Sequence, residues 1–216
     1  MQLYAGLVLY GVSMALMVRS SLGVMPWDVL HQGLSRQLGW SLGLVTIVLG
    51  AVVLLAWIPL RERPCLGTLS NVVVVGLTVD AALAVLPAPD GLAGRVAFGA
   101  SGILLNGVAT AAYIGVDLGP GPRDGLMTGL VRRTGGPVGL IRTAIEVVVV
   151  ATGWLLGGTL GVVTMLYAIT IGPLVHVLLP RFAVAADDAA AQPASSASGS
   201  GWRSRAASRA SRTARP

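Results

Sequence analysis

The chain has 216 residues, 54% of them hydrophobic and only 11% charged, with a mean hydropathy of +0.78. Soluble domains carry about 25% charged residues, so this composition excludes an ordinary water-soluble domain and points to the bilayer as the solvent. All fifteen basic residues are arginine, which leaves no lysine for a Walker-type phosphate loop, and the one cysteine, Cys65, excludes an intramolecular disulfide or a cysteine metal cluster.

The first apolar run, 2–18, is followed by Arg19, Ser20 and Ser21 and not by a small-residue cleavage site, so it reads as an anchor and not a removed signal. Further apolar runs cover 40–60, 66–86, 96–116, 138–156 and 159–179, each close to the ~20 residues that a helix needs to cross the hydrocarbon layer. Between them lie two shorter, more polar segments, 26–38 and 122–134, too short to cross as helices. From residue 183 the chain turns to Ala, Ser, Gly and Arg and is expected to be a disordered basic tail, 183–216. Its Arg203, Arg205, Arg209, Arg212 and Arg215 account for much of the pI near 10.7, which therefore describes a tail and not a nucleic-acid-binding face. The tail either contacts anionic lipid headgroups, at ~1 kcal/mol per arginine, or serves only as a topology signal.

The clearest pattern is an internal repeat at a constant displacement of 96 residues, the distance from Pro26 to Pro122. It lays Gly23 over Gly119, Asp28 over Asp124, Gly33 over Gly129, Arg36 over Arg132, Gly43 over Gly139, Thr68 over Thr164 and Gly76 over Gly172, without a gap. The matches fall on Gly, Pro, Asp and Arg, not on interchangeable Leu and Val, so they reflect duplication and not shared hydrophobicity. The expected fold is an all-α membrane protein of about six transmembrane helices in two three-helix repeats, 1–86 and 96–180, each with a short re-entrant or interfacial amphipathic helix. Each repeat then crosses three times, and the second is inverted relative to the first.

Charge gives the orientation. With both termini on one side, that side collects Arg61, Arg63, Arg123, Arg132, Arg133, Arg181 and the tail, while the other holds Arg19, Arg36 and Arg95. The richer side is expected to be cytoplasmic, in a bacterial plasma membrane.

Candidate site residues fall in two groups. Pro26 and Pro122 stand where the short helices begin, and Asp28, Gln32 and Arg36, like Asp124, Thr128 and Arg132, recur every four residues as a polar stripe. Paired short helices at matching positions of inverted halves point to a transporter's central site; the alternative is that the two aspartates only cap helix N-termini. The second group lies within the spans: Asp80, Arg142, Glu146 and His176, candidates for ion or proton coupling, with snorkelling from a helix end the alternative for Asp80 and His176. Arg142 and Glu146, four apart, equally suit a structural ion pair. Asp80 has no obvious helical partner and corresponds to His176, and Pro173 is expected to bend or break the last span. Asn71 and Asn106 suit interhelical hydrogen bonds, and Gly125 with Gly129 suits a close backbone contact.

The segments 3–11 (Leu3 to Gly11) and 21–34 (Ser21 to Leu34), Gly67 and Thr68 with Asn71, and Ile171, Gly172 and Pro173 resemble the YczE-like bacterial membrane proteins of the YczE/YyaS/YitT group. The resemblance covers about 3–180 and implies a small, duplicated plasma-membrane protein, not a substrate. Two functions fit the residues: a secondary transporter or permease for a small solute, or a non-catalytic scaffold or accessory protein supporting another membrane or biosynthetic system. No nucleophile with a nearby base and no metal cluster is visible, so neither an enzyme nor a cofactor is expected.

Overall fold

The computed structural model describes residues 1–182; the tail expected from 183 onward lies outside them. Eight helices follow one another: α1 (Gln2–Ser20), α2 (Pro26–Leu38), α3 (Leu42–Leu60), α4 (Leu66–Val85), α5 (Gly91–Ile114), α6 (Pro122–Thr134), α7 (Val138–Leu155) and α8 (Val162–Phe182). All but α2 and α6 are long and apolar enough to cross a membrane, six in all among the described residues. Leu55, Ile58, Leu77, Leu155 and Ile169 turn outward, as lipid-facing positions should. The chain is a multi-pass membrane protein.

Element boundaries follow local chemistry. Both short helices open with a proline, whose missing amide had no partner in a first turn, and both close on a glycine at φ +70°, Gly39 and Gly135, in the left-handed conformation that ends helices. The fifth helix starts at Gly91, ahead of the expected residue 96, because the polar turn around Arg95 is helical without being hydrophobic. The last helix is unbroken from Val162 to Phe182 across Pro173, contrary to the break allowed for at that residue. Proline is tolerated inside membrane helices where neighbours and local adjustment satisfy the freed carbonyl.

Helices α1 and α5 pack along their length in opposite directions. Gly6 lies against Ala109 and Tyr113, Gly102 against Ser13 and Met17, and Gly99 beside Ser20. Around this pair the packing exchanges under the repeat: α1 with α4 matches α5 with α8, and α2 with α7 matches α6 with α3. Small residues make the close approaches, as in membrane interfaces that lack a hydrophobic drive: Gly125 meets the Trp57 ring and Gly129 meets Leu60, while Gly33 and Gly153 bring α2 onto α7. Two backbone hydrogen bonds join the halves reciprocally, Val163 N to Leu22 O (3.0 Å) and Gly67 N to Leu118 O (3.1 Å). Gly23 and Gly119 have φ of +119° and +112°, so the loop before each short helix takes the same unusual turn.

One pair breaks the exchange. In the first half, Gly43 and Gly76 let α3 and α4 touch backbone to backbone, and Asp80 locks them by accepting the Ser41 hydroxyl (2.6 Å) and the Gly43 amide (2.7 Å). In the second half α7 does not pack on α8 in this way, and around Gly139 and Gly172 a side chain would meet nothing within 4 Å. The sequence supplies a reason. Pro137 stands in place of Ser41 and His176 in place of Asp80, so the clamp's hydroxyl and carboxylate are both missing.

Candidate functional site

The two short helices begin beside each other at the middle of α1. The Tyr10 hydroxyl, halfway along α1, reaches Met25 Sδ at the head of α2 (3.8 Å) and is hydrogen-bonded by the guanidinium of Arg123, second residue of α6. Arg123 also lies over the Tyr10 ring (5.7 Å) and the Trp27 ring (5.8 Å). These cation–π contacts hold a charge that few other groups at this depth would tolerate. From that meeting point α2 runs out to the C-terminal end of α7, where the Arg36 guanidinium bonds Gly157 O, and α6 runs the opposite way to α3, where Arg132 bonds Leu60 O (3.2 Å).

Asp28 and Asp124 flank the junction without capping it; neither carboxylate bonds a first-turn amide among the described residues. Asp28 is wholly buried, with Oδ1 3.0 Å from His31 Nδ1 and Oδ2 without a hydrogen-bond partner among the described residues. Asp124 is open to a cavity and accepts the Tyr113 hydroxyl at 3.4 Å. Behind them Asn106 ties three helices, donating to Ser13 Oγ (2.9 Å) and accepting from the Tyr167 hydroxyl (2.9 Å).

Two cavities meet at the Tyr10, Trp27 and Arg123 wall. The first, about 50 Å³, is lined by Asp28, His31, Thr46, Leu49, Gly50 and Asn71 together with Val72, Val75 and Pro122. The second, about 620 Å³, is lined by Asp124, Met127, Arg142, Ile145, Glu146 and Tyr167 together with Ala168, Ile171 and Pro26, and extends past Gly172 to His176. In the order given, the two linings correspond position by position under the repeat. They are one compartment built twice, nearly closed where α3 meets α4 and open where α7 stands off α8.

This arrangement gathers some of the residues singled out from sequence and not others. Pro26, Pro122, Asp28 and Asp124 surround the junction, while Arg142, Glu146 and His176 face the open cavity, the first two 3.4 Å apart as an ion pair. Gln32 accepts the Thr159 amide (2.7 Å), Thr128 bonds Gly125 O within its own helix (3.1 Å), and Arg132 pairs with Glu62 (2.6 Å), so these and Arg36 fasten loops and helix ends. Asp80 clamps α3 and lies apart from the junction. Sequence reasoning missed Tyr10, Tyr113, Tyr167 and above all Arg123, which was counted among the charges of the basic side and instead lies half-buried between the cavities. A signal existed: Arg123 is Trp27's counterpart under the repeat, and a charge standing for an aromatic ring between the matched Pro122 and Asp124 is a change of chemistry.

The comparisons agree with a membrane protein. The chain is 39% identical over 173 residues to an uncharacterised protein of Haemophilus influenzae, covering 80% of this chain and 79% of the relative. It is 31% identical over 180 residues to the Bacillus subtilis membrane protein YczE, covering 82% and 84%, and 26% identical over 182 residues to YyaS of the same organism, covering 81% and 89%. No solved structure matches. The family of unknown function DUF6198 matches residues 1–180, and the chain belongs to that family.

Proposed function

We propose that the protein is a secondary transporter, a permease for a small solute and not an enzyme, whose two halves are inverted repeats with re-entrant short helices. The supporting observation is the pair of repeat-equivalent cavities, about 50 and about 620 Å³, divided by Tyr10, Trp27 and Arg123. Inverted halves in different conformations are how transporters open one central site to opposite faces in turn. The antiparallel course of α1 and α5 supports the inversion, and the return of each short helix from mid-α1 toward the helix ends beside its own entry loop supports the re-entrant reading. Gln2 bonds Phe182 O (2.7 Å), so the ends of the helical body share a face. Without Arg123 that face still carries Arg61, Arg63, Arg132, Arg133 and Arg181 against Arg19, Arg36 and Arg95, which favours cytoplasmic termini.

In the other state α7 closes on α8 through Gly139 and Gly172, as α3 closes on α4 through Gly43 and Gly76. Cysteines at Gly139 and Gly172, in a Cys65→Ser background, are expected to cross-link in membranes although α7 and α8 do not pack in the open form. The cross-link is expected to make a further cysteine at Leu49, in the closed cavity, reactive to a water-soluble thiol reagent. A pair that never cross-links, or a Leu49 position that stays unreactive when it does, overturns the proposal.

A further inference from the structure

The open cavity has a chemistry of its own, which rests on the transport reading only for its purpose. Arg123 has five N–H donors in a planar fork, and among the described residues it makes one hydrogen bond, to the Tyr10 hydroxyl. No carboxylate lies within ion-pairing distance of it among the described residues, whereas Arg142 and Glu146 in the same cavity neutralise each other at 3.4 Å. A half-buried guanidinium with no carboxylate in direct contact among the described residues, Asp28 and Asp124 acting on it only from a distance, is costly at bilayer depth, and Arg123 lines the open cavity as well as the closed one.

The same contacts argue against a cationic ligand. The Tyr10 and Trp27 ring faces that would hold a cation are already occupied by Arg123. Asp124 already accepts the Tyr113 hydroxyl at the cavity wall. The start of α6 adds the positive end of a helix dipole behind the guanidinium. Ile145, Ile171 and Val175 form an apolar wall beyond it, and about 620 Å³ falls in the range of small-molecule sites, which run from about 300 to 1,000 Å³.

We infer that the open cavity binds a small organic carboxylate, its anionic group forked on Arg123 and its apolar body against α7 and α8. Bidentate pairing with a carboxylate is the geometry that the guanidinium offers and lysine does not.

The test is direct binding to the purified full-length protein in detergent, read by thermal shift and tryptophan fluorescence. The probes are a panel of aromatic and branched aliphatic monocarboxylates, each with its matched amide and amine, and inorganic phosphate. At least one carboxylate is expected to stabilise the protein while its amide and amine do not, and Arg123→Gln is expected to weaken that response by at least about tenfold. Should Arg123→Gln fail to fold, Arg123→Lys, which keeps the charge without the fork, is expected to weaken it at least about threefold. The inference is overturned if no carboxylate outperforms its amide, if the response survives both substitutions, or if phosphate matches the carboxylates, since the apolar wall would then play no part. Binding is measured without flux or cross-linking, so a negative result here leaves the alternating-cavity proposal standing, and failure to cross-link leaves the ligand assignment standing.

Discussion

One oxygen of Asp28 contacts the His31 ring, and the other, fully buried, has no hydrogen-bond partner among the described residues. Burying a polar group without a partner costs about 1–3 kcal/mol, and more if it is charged, so the carboxylate depends on the one contact it has. His31→Leu is expected to destabilise the protein by about that amount in thermal unfolding. Asp28→Leu added to it is expected to recover part of the loss, because an apolar pair of similar shape carries no orphaned group. Additive losses in the double variant would show that the two side chains do not act as a pair. The second half needs no such pair, since Met127 replaces His31 and Asp124 is open to the cavity.

At the scale of helices, the difference between the halves is concentrated at Asp80. Its two short hydrogen bonds fasten the start of α3 to the end of α4, and among the described residues nothing equivalent fastens α7 to α8. Asp80→Ala is expected to lower stability by about 2 kcal/mol, a typical loss for charge-assisted hydrogen bonds. It is also expected to raise the reactivity of a cysteine at Leu49, because the closed cavity loses its latch; unchanged reactivity would locate the latch elsewhere.

Helix positions were legible in the sequence because hydropathy, the two opening prolines and the closing glycines agree, and the 96-residue displacement set both short helices to the residue. The halves' unequal closure was not legible although the sequence holds its cause, Pro137 for Ser41 and His176 for Asp80, because only the fold shows that Ser41 and Asp80 meet across α3 and α4. The site was half legible. The polar stripe from Asp28 to Arg36 looked continuous, yet its far end serves helix termini about two turns from the junction. A periodic pattern reports which face a residue occupies and says nothing of what lies opposite.

For the whole molecule, the decisive relation is the antiparallel packing of α1 and α5, the helices that the repeat makes equivalent. On the proposed reading the two halves, each crossing three times, enter the membrane in opposite senses. Cysteines introduced at 60 and 157, near the ends of α3 and α7, are expected to react with an impermeant reagent from opposite faces in oriented vesicles. Reaction from the same face would remove the inversion, and the alternating cavities with it.

The reciprocal backbone bonds, Val163 N to Leu22 O and Gly67 N to Leu118 O, have a consequence for biogenesis. Each half donates an amide at the start of its last helix to a carbonyl that the other half supplies before its short helix. While the ribosome is still making α5, the first half therefore sits in the insertion machinery with one donor and one acceptor unsatisfied and with its Gly6 groove empty. Its α1–α4 and α3–α4 contacts can form within the half, but the packing of α1 on α5, α2 on α7 and α3 on α6 waits for the later segments. Assembly is a late, joint event, and the nascent first half is a client for whatever shields unfinished polar backbone from lipid.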